Sequence, residues 1–148
     1  MSERWTPHAT VATIVFHDGR FLMVDEICGG EAVLNQPAGH IEPGETVLAA
    51  AERETLEETG WKVTPEKLLG LYIYNADNGV TYHRYCLIAS ADEEVAGAEL
   101  DDGIIGPVWM TIEELRSCSR LRSPMVLTCA EDYLAGRQYP LDIITEHA

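Results

Sequence analysis

Positive charge is scarce in this chain. It has 10 Lys and Arg against 25 Asp and Glu, a formal net charge of −15 over 148 residues. An excess of that size repels phosphate backbones and anionic lipid headgroups, which argues against non-specific binding to nucleic acid polymers or membrane surfaces. Long apolar runs are also missing, and no stretch approaches the roughly 20 residues that cross a bilayer. The first residues, Met1-Ser2-Glu3-Arg4-Trp5-Thr6-Pro7, hold no apolar leader, so a cytoplasmic location is expected. Cys28, Cys86, Cys118 and Cys129 are scattered and form neither a C-x-x-C pair nor a Cys/His zinc spacing. They read as reduced thiols. His17, His83 and Cys86 show no nucleophile arrangement and read as core or surface residues. There is no repeat, low-complexity tract or linker, so residues 1–148 are expected to form one domain. No long heptad or large apolar stripe demands a dimer, and a monomer is expected.

Enough apolar residues are present, 46%, to bury a real core. His8 to His17 is rich in Val, Ile and Thr and reads as a strand, Asp18-Gly19 as a hairpin turn, and Arg20 to Ile27 as the returning strand. Ala32-Val33-Leu34 leads into Asn35-Gln36-Pro37-Ala38-Gly39, an extended segment entering a tight loop where Gly39 permits close backbone approach. After Pro43-Gly44, Thr46 to Thr59 reads as a helix capped by Gly60, with Val47, Leu48, Ala51 and Leu56 as its buried face and Glu54, Glu57 and Glu58 pointing elsewhere. Further strands are expected over Leu68 to Tyr74, Val80 to Ala89 and Pro107 to Met110. An acidic loop containing Asp92, Glu93, Glu94, Glu99, Asp101 and Asp102 precedes the last of these. Thr111-x-x-Glu114 is a capping box, and Ser123-Pro124 opens a final helix to Ala135. Strands, one helix, strands and then helices, without regular βαβ alternation, indicate an α+β fold: a mixed sheet in an α/β/α sandwich.

The chemistry concentrates in the first helix. Glu54, Glu57 and Glu58 stand three and four residues apart with no lysine among them. Like charges at that spacing weaken a helix by roughly 0.2–0.5 kcal/mol per pair. A solvated acidic face is the plain reading of such a run. The other is a hard divalent cation, Mg²⁺ or Mn²⁺, held by carboxylate oxygens with positions left for phosphate and water. Arg53 can tie carboxylates in place through its forked donors. Glu45, near the helix start, can meet the helix dipole or Arg53.

The full pattern is Gly39-x5-Glu45-x7-Arg53-Glu54-Thr55-Leu56-Glu57-Glu58-Thr59-Gly60-Trp61. It resembles the Nudix box, G-x5-E-x7-R-E-U-x-E-E-x-G-U with U apolar. Every charged and glycine position matches; Thr55 departs at the first U, and Trp61 is large for the second. The expected strands and helices resemble the Nudix fold across nearly the whole chain. The resemblance implies metal-dependent hydrolysis of a small-molecule phosphoanhydride by an activated water, with Mg²⁺, or Mn²⁺ in its place. It implies a catalytic set of Glu54, Glu57, Glu58 and Arg53. Glu57 and Glu58 would be metal ligands, Glu54 a further ligand or the general base, and the Gly39 carbonyl part of the metal shell. Glu45, Arg53 and Gly60 would be structural in the motif. Some members add an acidic ligand from a later loop; Glu99, Asp101 and Asp102 are candidates here, with solvated loop acids as the alternative.

Substrate choice lies outside the box. Asn35 to Glu42, Leu121 to Val126 and Gly136 to Leu141 resemble the NudJ-type phosphatase branch of that family. This branch is implied to act on nucleoside di- and triphosphates, thiamine pyrophosphate and its hydroxymethylpyrimidine pyrophosphate precursor, releasing phosphate. Other Nudix specificities are the alternatives: nucleoside-triphosphate pyrophosphohydrolysis, or hydrolysis of dinucleoside polyphosphates or ADP-ribose. A non-catalytic effector-binding domain is the more distant one, since the acidic cluster is complete. Arg84, in mid-strand, is read as a terminal-phosphate contact or a strand arginine paired to an acid. Arg122 and Arg137 are read as phosphate contacts or as partners of helix-end carbonyls, Arg137 more for the structural role. Tyr74, Tyr82 and Trp5 are read as ring-stacking or packing residues, and His40 as a phosphate contact or a loop hydrogen-bonding residue.

Overall fold

The computed structural model describes residues 3–147. Strand β1 (His8–His17) turns at Asp18 and Gly19, both with positive φ, into β2 (Arg20–Cys28). The primed turn that these two residues allow matches the twist of the hairpin. The two strands pair only beside the turn, at Phe16 with Phe21 and His17 with Arg20, and then diverge. The chain fills the wedge between them. β3 (Glu31–Asn35) pairs with β2, and the three-residue β4 (Ala38–His40) pairs with β1. Gln36-Pro37 is therefore the crossing from one half of the sheet to the other, and the Pro37 carbonyl accepts from Thr13 N–H at 3.0 Å.

On its other side β1 runs parallel to β6 (Thr81–Glu94), which pairs antiparallel with β5 (Trp61–Asn75). β7 (Ile104–Met110) lies antiparallel on the free side of β2. The result is a mixed sheet of seven strands. Helix α1 (Val47–Thr59) covers one face through Val47, Ala50 and Ala51, which pack on Val11, Leu68 and Leu87. Helices α2 (Ile112–Ser117) and α3 (Pro124–Leu134) cover the other, where Leu115, Val126, Cys129 and Ala130 meet Ala12, Ile14, Phe21 and Cys86. This is the expected α/β/α sandwich. No helix among the described residues is long and apolar enough to cross a membrane.

Three local expectations are corrected. β5 and β6 extend well beyond Leu68–Tyr74 and Val80–Ala89, and Asp92, Glu93 and Glu94 belong to β6 rather than to a loop. Pro65 obscured this, because proline usually ends a strand; here β5 is an edge strand, and its register shifts between Pro65 and Lys67. Leu56 is only half-buried, and Thr55 takes the fully buried position on α1. Glu58 was expected to point away from the buried face and instead lies on it. A short 3₁₀ turn at Leu141–Ile143 leads to Glu146, whose carboxylate accepts from Val47 N–H at 3.1 Å, an acid at the positive end of α1.

Candidate active site

Thr46 caps the start of α1 by accepting from Ala49 N–H, and Gly60 ends it in the left-handed conformation at φ 76°. Between these caps, the helix register sends the three carboxylates in different directions around the edge of β4. Glu58 points in, and its Oε1 accepts from Ala38 N–H at 2.7 Å. Glu54 lies over Gly39, where a Cβ would collide with its carboxylate. Only glycine lets helix and strand approach this closely. Glu57 points outward, with 37% of its side chain exposed.

Arg53 organises this group. Its Nε and Nη2 bind Glu45 at 2.6 and 3.0 Å, Nη2 also donates to the His40 carbonyl at 3.0 Å, and Nη1 donates to Glu54 at 2.8 Å and Glu57 at 3.1 Å. Those five contacts use all five guanidinium N–H groups. No donor is left for a substrate, so Arg53 acts as a clamp on the carboxylates and on β4. Glu45 closes the clamp by also accepting from Glu42 N–H. Arg53 holds the Glu45 carboxyl below its ordinary range, and Glu45 in turn raises the Arg53 guanidinium.

The remaining carboxyls are pushed the other way. Burial raises Glu58 to about 8, opposed by the Ala38 N–H and reinforced by Glu54, Glu26 and Asp101. Burial also raises Glu54, against the pull of Arg53. Glu57 rises through burial and its neighbour Asp101, whose N–H donates to the Glu57 carbonyl at 3.0 Å. Of the three loop acids, Asp101 is thus the one with contacts to the helix. The protein accumulates more negative charge here than Arg53 neutralises.

Among the described residues, no three carboxylate, imidazole or thiol side chains converge as a ready-made metal cage. The donors are all oxygens, carry excess negative charge and surround a glycine backbone. That chemistry fits Mg²⁺, which is commonly bound by one or two carboxylates and keeps its other positions for water and phosphate.

Beside the carboxylates, on the far side of β4, lies a cleft of about 410 Å³. The strand alternation explains the division. Gly39 is in register with Val11, which packs under α1, whereas Ala38 and His40 are in register with Ala12 and Thr10. Thr10 is also in register with Arg84, and His8 with Tyr82. The structure brings Gly39, His40, Tyr74, Tyr82, Arg84 and Arg122 together in this cleft. Arg84 is buried at 8% exposure and donates to Gln36 Oε1 at 3.2 Å; its partner is an amide and not an acid. Arg122 is half-exposed at the mouth and binds Glu26 at 2.8 Å. That ion pair outweighs burial and raises its guanidinium. Leu121 bridges to Leu34 beside β3, which is how the Leu121-Arg122-Ser123 segment reaches the cleft. His40 lies 3.0 Å from His8, and burial lowers its imidazole, helped by His8 and Arg122.

Other candidates fall elsewhere. Arg137 is outside the cleft, over the rings of Tyr72 and Tyr139, against Gly70, and 3.5 Å from the Asp132 carboxylate of α3. Trp5 is exposed and meets His83 edge-on. His17 is at the surface beside Asp18, and Cys86 is buried in the core with Cys129. Sequence reasoning missed Glu26, buried within an apolar strand, which joins Arg122 to the surroundings of Glu58. Its only signal was a pair of acids, Asp25-Glu26, near the end of an otherwise apolar strand.

A sequence model of the NUDIX domain matches residues 6–127, and the chain belongs to that family. The protein is accordingly a hydrolase of phosphorus-containing acid anhydrides. It is 38% identical to Phosphatase NudJ of Escherichia coli strain K12 over 139 residues, 93% of this chain and 90% of that protein. A NUDIX hydrolase from Nitrosomonas europaea superposes with a TM-score of 0.94 at 42% identity, covering 96% of this chain and 98% of that one. A UDP-X diphosphatase, 22% identical, shares the fold with a TM-score of 0.75, over 93% of this chain and 68% of its own.

Proposed function

We propose that the protein hydrolyses phosphoanhydride bonds in nucleoside di- and triphosphates and in pyrimidine or thiamine pyrophosphates, releasing phosphate, with Mg²⁺ or Mn²⁺ as cofactor. The observation that carries this reading is the spent guanidinium of Arg53, which ties Glu45, Glu54 and Glu57 together beside β4 and leaves the excess of their charge to be balanced from outside the protein. Glu57 and Glu58 would hold the cation, with Glu54 as a further ligand or the base and the Gly39 carbonyl completing the set. When bound, the cation supplies positive charge to the phosphate oxygens and acidity to the attacking water. The residues do the rest. Arg53 and Glu45 keep the carboxylates in register, and a raised carboxyl in this cluster is suited to taking a proton near neutral pH. Arg122 and His40, at the mouth beside Gly39, would meet the phosphate chain. Arg84 and Tyr74, further in, would meet the rest of the substrate. The likeness to a phosphatase supports release of phosphate. The whole chain would work as one monomeric domain.

The test is a panel of nucleoside di- and triphosphates and pyrimidine pyrophosphates with Mg²⁺, with phosphate and pyrophosphate measured separately. Phosphate from a diphosphate is expected, and EDTA should abolish it. Pyrophosphate plus monophosphate from a triphosphate would replace this reading with a pyrophosphohydrolase. No product from any compound, with folded protein, would sink it.

A further inference from the structure

We infer that Asn35 and Thr10, on the floor of the cleft, are specificity-determining residues that hold the heterocyclic end of the substrate proposed above by its donor–acceptor edge. This rests on taking the cleft as the substrate's seat, and it does not depend on the bond that is cleaved.

Four buried side-chain polar atoms find no hydrogen-bond partner among the described residues. Three of them, Thr10 Oγ1, Asn35 Oδ1 and Arg84 Nε, belong to residues that line this one cleft. Their residues are 6%, 4% and 8% exposed, and they come from three strands, β1, β3 and β6. Native proteins leave few buried polar groups unpaired, so three at one place call for a ligand. The groups are also linked. Thr10 is across from Arg84 in the parallel β1–β6 pair, and Gln36, next to Asn35, accepts from Arg84 Nη1.

The donor pattern selects the ligand's chemistry. Arg84 only donates, the Thr10 hydroxyl can donate or accept, and the Asn35 amide presents a donor beside an acceptor whichever way it is turned. A phosphate is all acceptor and would leave half of the Asn35 amide unsatisfied. A nitrogen heterocycle such as an aminopyrimidine or a nucleobase carries donor and acceptor side by side on one edge. Tyr74, Tyr82 and Met125 line the same cleft and offer surfaces for a ring face. The volume suits a small ligand of this size.

The test uses two diphosphates of similar shape, an aminopyrimidinylmethyl diphosphate and benzyl diphosphate, and the corresponding monophosphates. Wild-type kcat/KM is expected to favour the aminopyrimidine by at least tenfold. Calorimetry in EDTA should show a similar preference between the monophosphates. Asn35→Leu and Thr10→Val should each collapse that ratio at least threefold, chiefly through KM, with the fold checked by circular dichroism. Thr10→Val preserves shape and decides the matter if Asn35→Leu does not fold. Equal rates and affinities for the two rings in wild type, or an unchanged ratio in folded variants, would overturn the inference. If neither diphosphate is cleaved but the calorimetric preference appears and is lost in the variants, the inference stands and the proposed activity falls. Equal cleavage of both gives the converse.

Discussion

Glu58 carries the sharpest conflict of any single residue. It is a carboxyl 8% exposed, beside Glu54, Glu26 and Asp101, with one backbone N–H as its hydrogen-bond partner. Its folded pKa of about 8 is above its ordinary value of 4.5. The metal-free folded state therefore binds this proton more tightly than the unfolded chain does. The stability that goes with it is complete below about pH 4.5 and is lost as pH rises towards 8. At about 1.4 kcal/mol per pKa unit the loss amounts to a few kcal/mol. Glu58→Gln keeps the acceptor for Ala38 N–H and removes the titration. Thermal melts in EDTA should show the variant with the higher Tm at pH 9, and a gap that closes toward pH 5. Mg²⁺ should raise the wild-type Tm at pH 9 more than that of the variant. A gap independent of pH would refute the burial argument. In the sequence, Glu58 was one of three equivalent acids. Its burial depends on where β4 passes, a contact across 20 residues of chain that no local spacing encodes.

At the scale of elements, α1 was legible because its signals are local: a threonine cap, an alanine- and glutamate-rich body and a terminal glycine. Its one departure from the resembled pattern, Thr55, has a physical reason that becomes visible only across the sheet. Its hydroxyl donates to the Ala51 carbonyl at 2.8 Å and is 3.0 Å from the Thr13 hydroxyl of β1; both threonines are fully buried. An aliphatic residue at position 55 would strand the Thr13 hydroxyl. Thr55→Val should cost about 1–3 kcal/mol in urea unfolding, the desolvation penalty of an unpaired buried hydroxyl. Thr13→Val with Thr55→Val should cost clearly less than the two single changes added together, because the pair is removed as a unit. Additive costs would show that the hydroxyls are not coupled. The edges of β5 and β6 were illegible for the converse reason. Pro65 and the acids at 92–94 read as breakers along the chain, and only the neighbouring strand makes them tolerable. The cleft was half-legible. Arg84, Arg122, Tyr74 and His40 stand out by chemical type, whereas Asn35 and Thr10 matter through burial without a partner, which has no signature in sequence.

For the whole molecule, the −15 charge sets the conditions for binding any phosphate. Without divalent cations the protein repels a pyrophosphate, and salt weakens that repulsion by shortening the screening length from about 30 Å at 0.01 M to about 10 Å at 0.1 M. Calorimetry of inorganic pyrophosphate in EDTA should therefore show affinity rising with salt over that range. With Mg²⁺ present the trend should flatten or reverse, because attraction is then what salt screens. Affinity that falls with salt in EDTA would mean that Arg122 and Arg84 outweigh the overall field at the cleft.

The three-residue strand β4 has a consequence that reaches beyond one molecule. It meets the acidic helix at Gly39 and the His40 carbonyl and turns the Gly39 backbone and His40 to the cleft, so the cutting groups and the choosing groups share one short segment. A substitution at Asn35, Thr10 or Tyr74 touches none of the contacts through which Arg53 fixes the carboxylates. Gene duplicates of such a protein can drift toward new ligands one pocket residue at a time while the hydrolytic apparatus is inherited intact. Diversification of diet without reinvention of chemistry follows from where one small strand sits.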